Sequence, residues 1–471
     1  MEKREWAYII LCFAVSFGAM FDGGYTITYV NTAEAEFKLL SGYAWAWSIL
    51  LQIFFVGVII SNAVLPLVTE KLGRVRTLSL ASVLAALGSC GTLLAVVYNF
   101  IPFMFLGRLV TGLAFGLLMG ALTLFLQETS PTALRGLASS MLELAFIPAN
   151  TIGLIMGVDQ VLGLNLPVLV ILGAFVDLAL ALGSFLIPET PKYLYVSGGG
   201  SSKTKASLEF YQGPAADFEH FAASMKEELE QEKSSRNGKV VKIPYLRKAL
   251  FIGAAALAAQ NTTGVYAMAM FCTEFFKNVG LDEFQAEMGT VAYGMVNLVF
   301  TCVGVWLVER VGRRRLLLTT LSLLSVSLCL YAGMAIAYNY VQNSLLGMAC
   351  IAVAFVYIAL FSLGPGPIPW FIVSELVPQH ARAAAQGVCL LVGNFTALII
   401  TLLTRPLYDG LGAWGPAAFL ILFVLPTLLL TAFLYAQLPE TKGREIPDIV
   451  RQLAGGIPLQ EMETMQQHLL L

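Results

Sequence analysis

The chain has 471 residues, of which 58% are hydrophobic and only 12% charged, against roughly a quarter charged in an ordinary soluble domain. A soluble protein of this size could not hide so much apolar surface, so lipid must act as solvent for much of it. The net charge of −2, with no basic domain or aromatic-basic stripe, argues against a nucleic-acid partner.

A helix needs about 20 mostly apolar residues to cross the hydrocarbon core. The first such run begins at Trp6 and reaches about Tyr29. It is longer than a signal-peptide core and no cleavage site follows it, so it reads as a retained helix spanning 7–30. Further spans are expected near 45–68, 78–98, 103–126, 137–158 and 166–187. A polar gap follows, with the run Gly198-Gly199-Gly200-Ser201-Ser202 and a charged stretch from Asp217 to Lys242 that suits short amphipathic surface helices. Six more spans are expected near 248–271, 288–308, 315–338, 345–371, 383–404 and 414–437. The expected organisation is a six-helix bundle over 1–187, a linker over 188–246, a second bundle over 247–438 and a tail over 439–471.

With twelve crossings, both termini and the linker share one side. That side carries 24 of the 28 Lys and Arg residues, leaving Lys38, Arg108, Lys277 and Arg405 for the other. The excess of positive charge makes it cytoplasmic. The seven cysteines all fall in apolar runs, which does not suit a disulfide framework. His220, His380 and His468 lie in expected loops or tail, so neither a metal site nor a cofactor is expected.

The two halves echo each other. Glu70-Lys71-Leu72-Gly73-Arg74-Val75-Arg76 returns 239 residues later as Glu309-Arg310-Val311-Gly312-Arg313-Arg314-Arg315. Glu128-Thr129-Ser130-Pro131 with Arg135-Gly136 returns after 247 residues as Glu375-Leu376-Val377-Pro378 with Arg382. Pro188-Glu189-Thr190-Pro191-Lys192 returns after 251 residues as Pro439-Glu440-Thr441-Lys442-Gly443. The chain reads as two copies of one half.

These motifs, with Gly107-Arg108 and the run Gly364-Pro365-Gly366-Pro367-Ile368-Pro369-Trp370-Phe371-Ile372-Val373, resemble the sugar-porter family of the major facilitator superfamily, and within it the animal facilitative glucose transporters. The resemblance covers about residues 5 to 450. It implies an all-α membrane protein: twelve transmembrane helices in two pseudo-symmetric six-helix bundles, with a cytoplasmic helical linker. It implies an alternating-access carrier of a small polar solute, a hexose or related polyol, working by facilitated diffusion in the plasma membrane as a monomer.

The charged repeats sit where helices leave the membrane. Arg pairs bidentately with carboxylates. Glu70, Arg74, Glu128, Arg135 and Glu189 in one half, and Glu309, Arg313, Glu375, Arg382 and Glu440 in the other, are therefore expected to bridge neighbouring helix ends. They would tie the two cytoplasmic faces together whenever the cavity opens outward. Gly364, Pro365, Gly366, Pro367 and Pro369 remove backbone donors and add freedom, which breaks a helix at membrane depth. Such breaks are tolerated where they are packed in protein or line a cavity.

The resemblance also implies a solute site. It places retained amides at Gln260, Asn261 and Asn297 and a retained indole at Trp370. The chain departs from the family at Glu143, where a glutamine is expected, at Tyr266, at Ser362, and at Gly393 with Asn394 beside it. Amides that donate and accept, next to an aromatic face, suit a polyol.

Asp22, Glu143 and Asp177 fall inside expected spans, and no Lys or Arg is expected near the middle of any span. A charged carboxylate there costs roughly 2.5–3.5 kcal/mol or more. Family members that use protons carry an acid after Gly-Tyr in the first helix, whereas Gly24-Tyr25 is followed here by Thr26. Asp22 lies one turn earlier on the same face. The alternatives are therefore a proton-coupled sugar symporter using Asp22 or Glu143, or a carrier of a non-sugar, cationic solute. For Asp177 a neutral packing role is expected. A nutrient sensor on the same scaffold and a membrane enzyme fit less well: the tail adds no signalling domain, and the acids lack an accompanying histidine or metal cluster.

Overall fold

The computed structural model describes residues 3–33, 36–37, 44–131, 134–214, 216–235, 244–377, 379–444 and 446–453. Within them the chain is helical, in the order α1 (Lys3–Thr32), α2 (Ala44–Leu72), α3 (Arg74–Tyr98), α4 (Ile101–Thr129), α5 (Arg135–Met156) and α6 (Leu166–Gly183). Three short helices form the connection: α7 (Pro191–Val196), α8 (Ser201–Gln212) and α9 (Phe218–Ser235). The second set comprises α10 (Pro244–Thr262), α11 (Val265–Asn278), α12 (Glu283–Val311), α13 (Arg313–Val341), α14 (Ser344–Leu363), α15 (Ile368–Leu376) and α16 (Gln379–Gly410). It ends with α17 (Ala417–Gln437) and a short α18 (Ile446–Leu453).

Ten helical segments among the described residues are long and apolar enough to cross a membrane, and Ser140–Met156 within α5 is a shorter apolar one. The seventh crossing has another form because it is broken. Its polar run Gln260-Asn261-Thr262-Thr263 leads to Gly264, whose φ of 83° stops α10 and restarts the chain as α11. The tenth crossing is broken as well, where α14 gives way to α15 across the turn at 364–367. With these two pairs each counted once, the helices form twelve crossings. Leu182, Phe185, Leu330 and Leu429 are more than half exposed on the outside of the bundles, as lipid-facing side chains are.

In the first half α4 packs on α2 and α3, α5 on α1, and α6 on α3; in the second, α14 packs on α12 and α13, and α16 on α10. In lipid, where hydrophobic burial cannot drive association, helices meet through small residues. A Cβ on Gly57 would lie 2.5 Å from the Leu109 carbonyl oxygen, so the α2–α4 contact requires glycine there. The halves meet where α2 packs on α16, α5 on α12, and α1 on α11.

The repeated charged motifs form two equivalent clasps. Gly73 (φ 94°) and Gly312 (φ 104°) turn the chain between the second and third crossings of each half, a left-handed conformation that favours glycine. In the first half, Arg74 Nη2 lies 2.6 Å from Glu128. The Arg74 amide donates to Glu189 Oε1 at 2.9 Å, and Thr190 Oγ1 donates to Glu128 Oε2 at 2.6 Å. In the second half, Arg313 Nη2 lies 3.3 Å from Glu375. The Arg313 amide donates to Glu440 Oε1 at 2.9 Å, and Thr441 Oγ1 donates to Glu375 Oε2 at 2.5 Å. Glu189 and Glu440 thus receive the free amides at the starts of α3 and α13, where a carboxylate is favoured. Burial would push the Glu440 carboxyl up, but amides from Lys442, Arg313, Arg314 and Arg315 hold it below the usual range. Its tie therefore persists at neutral pH and is lost only on acidification through that lowered value.

Each of these pairs closes within its own half. Arg74, Glu128, Glu189, Arg313, Glu375 and Glu440 do bridge neighbouring helix ends: these pairs tie the turn of a half to the ends of its fourth and sixth crossings. Glu70 is exposed beside its clasp, and Arg382 is partly buried at the start of α16. The side chains of Arg135 and Glu309 lie outside the described residues.

The two clasps differ in tightness, because Glu128 is 7% exposed and Glu375 is 27% exposed. Breaking a buried pair by removing one partner costs about 3–5 kcal/mol, and exposure lowers that figure. Glu128→Gln is therefore expected to lower the melting temperature of the detergent-solubilised protein more than Glu375→Gln does. Equal shifts, or none, in a thermal unfolding series would refute this ranking.

Candidate functional site

Between the halves lies a cavity. α1 contributes Ile27, Thr28 and Asn31, and α5 contributes Glu143, Phe146, Asn150, Thr151 and Leu154. Across from them stand Gln260 of α10, Tyr266 and Ala269 of α11, Tyr293 and Asn297 of α12, Phe361 of α14 and Trp370 of α15. The cavity is thus walled by both halves and by both broken crossings.

The breaks are what make the polar wall. A helix that stops within lipid leaves carbonyls without partners, and these must be satisfied inside the protein. Gln260 Nε2 donates to the Gly366 carbonyl, freed by the break in the tenth crossing, at 2.8 Å. Tyr357 Oη donates to the Thr263 carbonyl, freed by the break in the seventh, at 3.0 Å. Gln260 therefore faces the cavity with one of its two amide hydrogens already engaged. Asn297 accepts from Ser362 Oγ at 2.7 Å, which holds its amide in place. The Trp370 indole lies beside the Glu143 carboxyl, and its Nε1 proton closes no hydrogen bond of good geometry.

Of the residues expected at the solute site, Gln260, Asn297, Trp370, Glu143 and Tyr266 line this cavity. Three do not. Asn261 donates to the Leu257 and Gly393 carbonyls at 2.8 and 3.0 Å and so fastens α10 to α16. Asn394 donates to Leu390 of its own helix at 3.0 Å. Ser362 acts behind the wall, through Asn297.

The sequence reading missed Thr28, Asn31, Asn150, Thr151 and Tyr293. Asn150 lies seven residues after Glu143, two turns along one helix face, and that spacing could have found it. The Asn150 Oδ1 and Tyr293 hydroxyl atoms are buried without partners.

On the side away from the linker, the halves are pinned by hydrogen bonds. Asn31 Nδ2 donates to the Ala269 carbonyl at 2.8 Å, and the Thr273 amide donates to Asn31 Oδ1 at 3.2 Å. Thr401 Oγ1 donates to Gln52 Oε1 at 2.6 Å. A helix end of one half and a half-helix of the other thus close that end of the cavity.

A second polar centre lies within the first half alone. Asp22, Arg108 and Asp177 are 1%, 2% and 0% exposed. Arg108 Nη1 donates to the Thr26 carbonyl at 2.8 Å, and Ser89 Oγ lies 3.4 Å from Asp22 Oδ1. The guanidinium acts electrostatically on Asp22, and Asp22 on Asp177. The expectation that no base accompanies the intramembrane acids is therefore corrected. Arg108 turns inward from the eighth residue of α4 rather than outward to solvent. Neither Asp22 nor Asp177 lines the cavity. Asp22 Oδ2, both Asp177 carboxyl oxygens, and Arg108 Nε and Nη2 make no hydrogen bond.

Residues 9–453 match the family described as "Sugar (and other) transporter". The chain is 32% identical over 411 residues to a chicken (Gallus gallus) protein, solute carrier family 2, facilitated glucose transporter member 2, covering 86% of this chain and 75% of that one. It is 31% identical over 443 residues to the human facilitated glucose transporter member 3, covering 91% and 85%. Among solved structures it superposes on a major facilitator superfamily proton:xylose symporter, XylE, with a TM-score of 0.78 at 18% identity, over 95% of this chain and 99% of that one. An inward-open form of the Escherichia coli xylose transporter gives 0.73 at 17% identity, over 94% and 99%. At such identities these two structures establish the fold. A match along nearly the whole chain, relatives above 30% identity and two bundles around a shared cavity lead to one conclusion: this chain belongs to the sugar (and other) transporter family and is a multi-pass membrane protein.

Proposed function

We propose that the chain carries a hexose or related small polyol by facilitated diffusion, the cavity between the halves opening to one side of the membrane at a time. The observation that carries this reading is the cavity itself, where amides of Gln260 and Asn297 stand near the Trp370 indole between two separable bundles. Amides donate to and accept from hydroxyls, and an aromatic face covers the C–H side of a sugar ring. Relatives described as facilitated glucose transporters support the solute class. No bond is made or broken in such a cycle. The protein acts as a monomer in the plasma membrane with both termini in the cytoplasm, the side where the linker and most of the Lys and Arg residues lie. Binding is weak, because release must be fast; a millimolar affinity is about −4 kcal/mol. The two clasps keep each half rigid while Arg135, Arg382 and their neighbours separate and close on the cytoplasmic side.

The cluster of Asp22, Arg108 and Asp177 favours a second reading. Two acids and one guanidinium in a dry interior leave an unbalanced negative charge unless a proton is held there. In this reading sugar uptake is coupled to proton entry through Asp22.

Initial uptake of labelled glucose into proteoliposomes tests the first reading. Uptake should be saturable and unchanged by an uncoupler. Gln260→Ala, which leaves the Gly366 carbonyl without its donor at about 1–3 kcal/mol, should reduce it roughly tenfold or more. A wild-type protein that moves no hexose or polyol would sink the proposal. For the second reading, Asp22→Asn should abolish accumulation driven by a pH gradient yet leave exchange of labelled for unlabelled sugar intact. Uptake indifferent to the gradient in the wild type would eliminate it.

A further inference from the structure

The departure at Glu143 carries information about which sugars fit. Its carboxyl is 5% exposed and belongs to the wall of the solute cavity, on α5. It faces the broken tenth crossing: a Cβ added to Gly366 would lie 2.9 Å from Glu143 Oε1. No Lys, Arg or His lines the cavity among the described residues. The acid cluster in the first half has Arg108 for its counter-charge; Glu143 has no such companion, and the Trp370 indole beside it supplies a dipole, not a charge. Phe146, Tyr266, Phe361 and Trp370 wall the same space. A carboxylate among aromatic rings is the arrangement that receives an ammonium group, since the rings attract a cation and keep water from screening the pair. A neutral hexose would bring nothing to offset the cost of burying that charge.

We propose that this cavity selects a monosaccharide-sized polyol bearing a protonated amine, with the ammonium paired to Glu143 and the hydroxyls held by Gln260 and Asn297. This deepens the sugar-carrier reading and rests on it. The amide wall recognises the sugar, and the carboxylate distinguishes an amino sugar from its neutral counterpart. Because the pair forms at a carboxylate residue only 5% exposed, its contribution appears as selectivity between two solutes of almost identical size.

The experiment uses the full-length protein in liposomes, with labelled D-glucose and D-glucosamine supplied in parallel at pH 6.5. Wild-type initial uptake at low concentration should favour glucosamine about tenfold, equivalent to ~1.4 kcal/mol. The ratio of the two rates should fall towards one in Glu143→Gln, whatever happens to the absolute rates, and should persist in Glu143→Asp. The wild-type ratio should also decline as pH rises through the basicity of the amine, roughly 7.7–8.0 for an α-amino group, which keeps the proposal testable should the variants fail to fold. Equal handling of the two sugars by the wild type, or an unaltered preference in Glu143→Gln, overturns it. Failure of the underlying reading is a separate result: then neither glucose nor glucosamine enters the liposomes.

Discussion

The constraint on which the rest depends is that no backbone group within the membrane can be left to lipid. A continuous helix meets it automatically; a broken one does not. Two crossings of this protein are broken, and the groups they release are satisfied by side chains from elsewhere in the second half: Gln260 across to Gly366, and Tyr357 back to Thr263. The break in one crossing is therefore stabilised by a residue adjoining the break in the other. That bond couples the two breaks, and Gln260 stands in the cavity wall between them. Polar residues that in a soluble protein would mark a surface here mark the places where the helix ladder has been interrupted.

The pseudo-symmetry has a mechanical meaning in the same terms. Each half carries one clasp, built from a left-handed glycine, an arginine, two glutamates and a threonine at equivalent positions. Because each clasp joins elements of its own half, it stiffens a body. Among the described contacts that cross the seam are neutral hydrogen bonds centred on Asn31, Gln52 and Thr151. Bonds of that kind contribute about 1 kcal/mol each. Ionic ties inside each half, with neutral hydrogen bonds among those between the halves, suit a rocking mechanism of two rigid bodies.

Much of this was legible in the sequence, for reasons that can be named. The two-copy organisation was readable because the clasp residues are charged, and charge in a lipid-soluble chain appears only where a specific partner or water justifies it. The helix break at 364–367 was readable because proline and glycine act locally, whereas Pro369 sits in the first turn of α15. Gln260, Asn297, Trp370, Glu143 and Tyr266 were found through the resemblance and its departures. What could not be read was which neighbour each polar group meets. Asn261 and Asn394 were expected at the cavity, yet Asn261 donates to carbonyls of its own and a neighbouring helix, and Asn394 to one of its own helix. Nothing local distinguishes an amide that recognises a solute from one that satisfies the backbone. Arg108 was misplaced for a similar reason. Near a helix end, an arginine serves equally well reaching outward to water or inward to a carboxylate, and only the position of Asp22 on the adjacent α1 decides between them.

The buried acids make the same point from the opposite direction. By sequence, Asp22, Asp177 and Glu143 are three of a kind: carboxylates in apolar spans. Their surroundings separate them. Asp22 feels the Arg108 guanidinium, and Asp177 feels Asp22, in a compartment that the solute cavity does not reach, so a proton held there acts other than by contact with cargo. Glu143 stands in the cavity wall with an indole beside it and no cation, so whatever satisfies its charge has to arrive with the solute or as a proton. A membrane carboxylate is thus defined less by its depth than by whether its counter-charge is built into the protein.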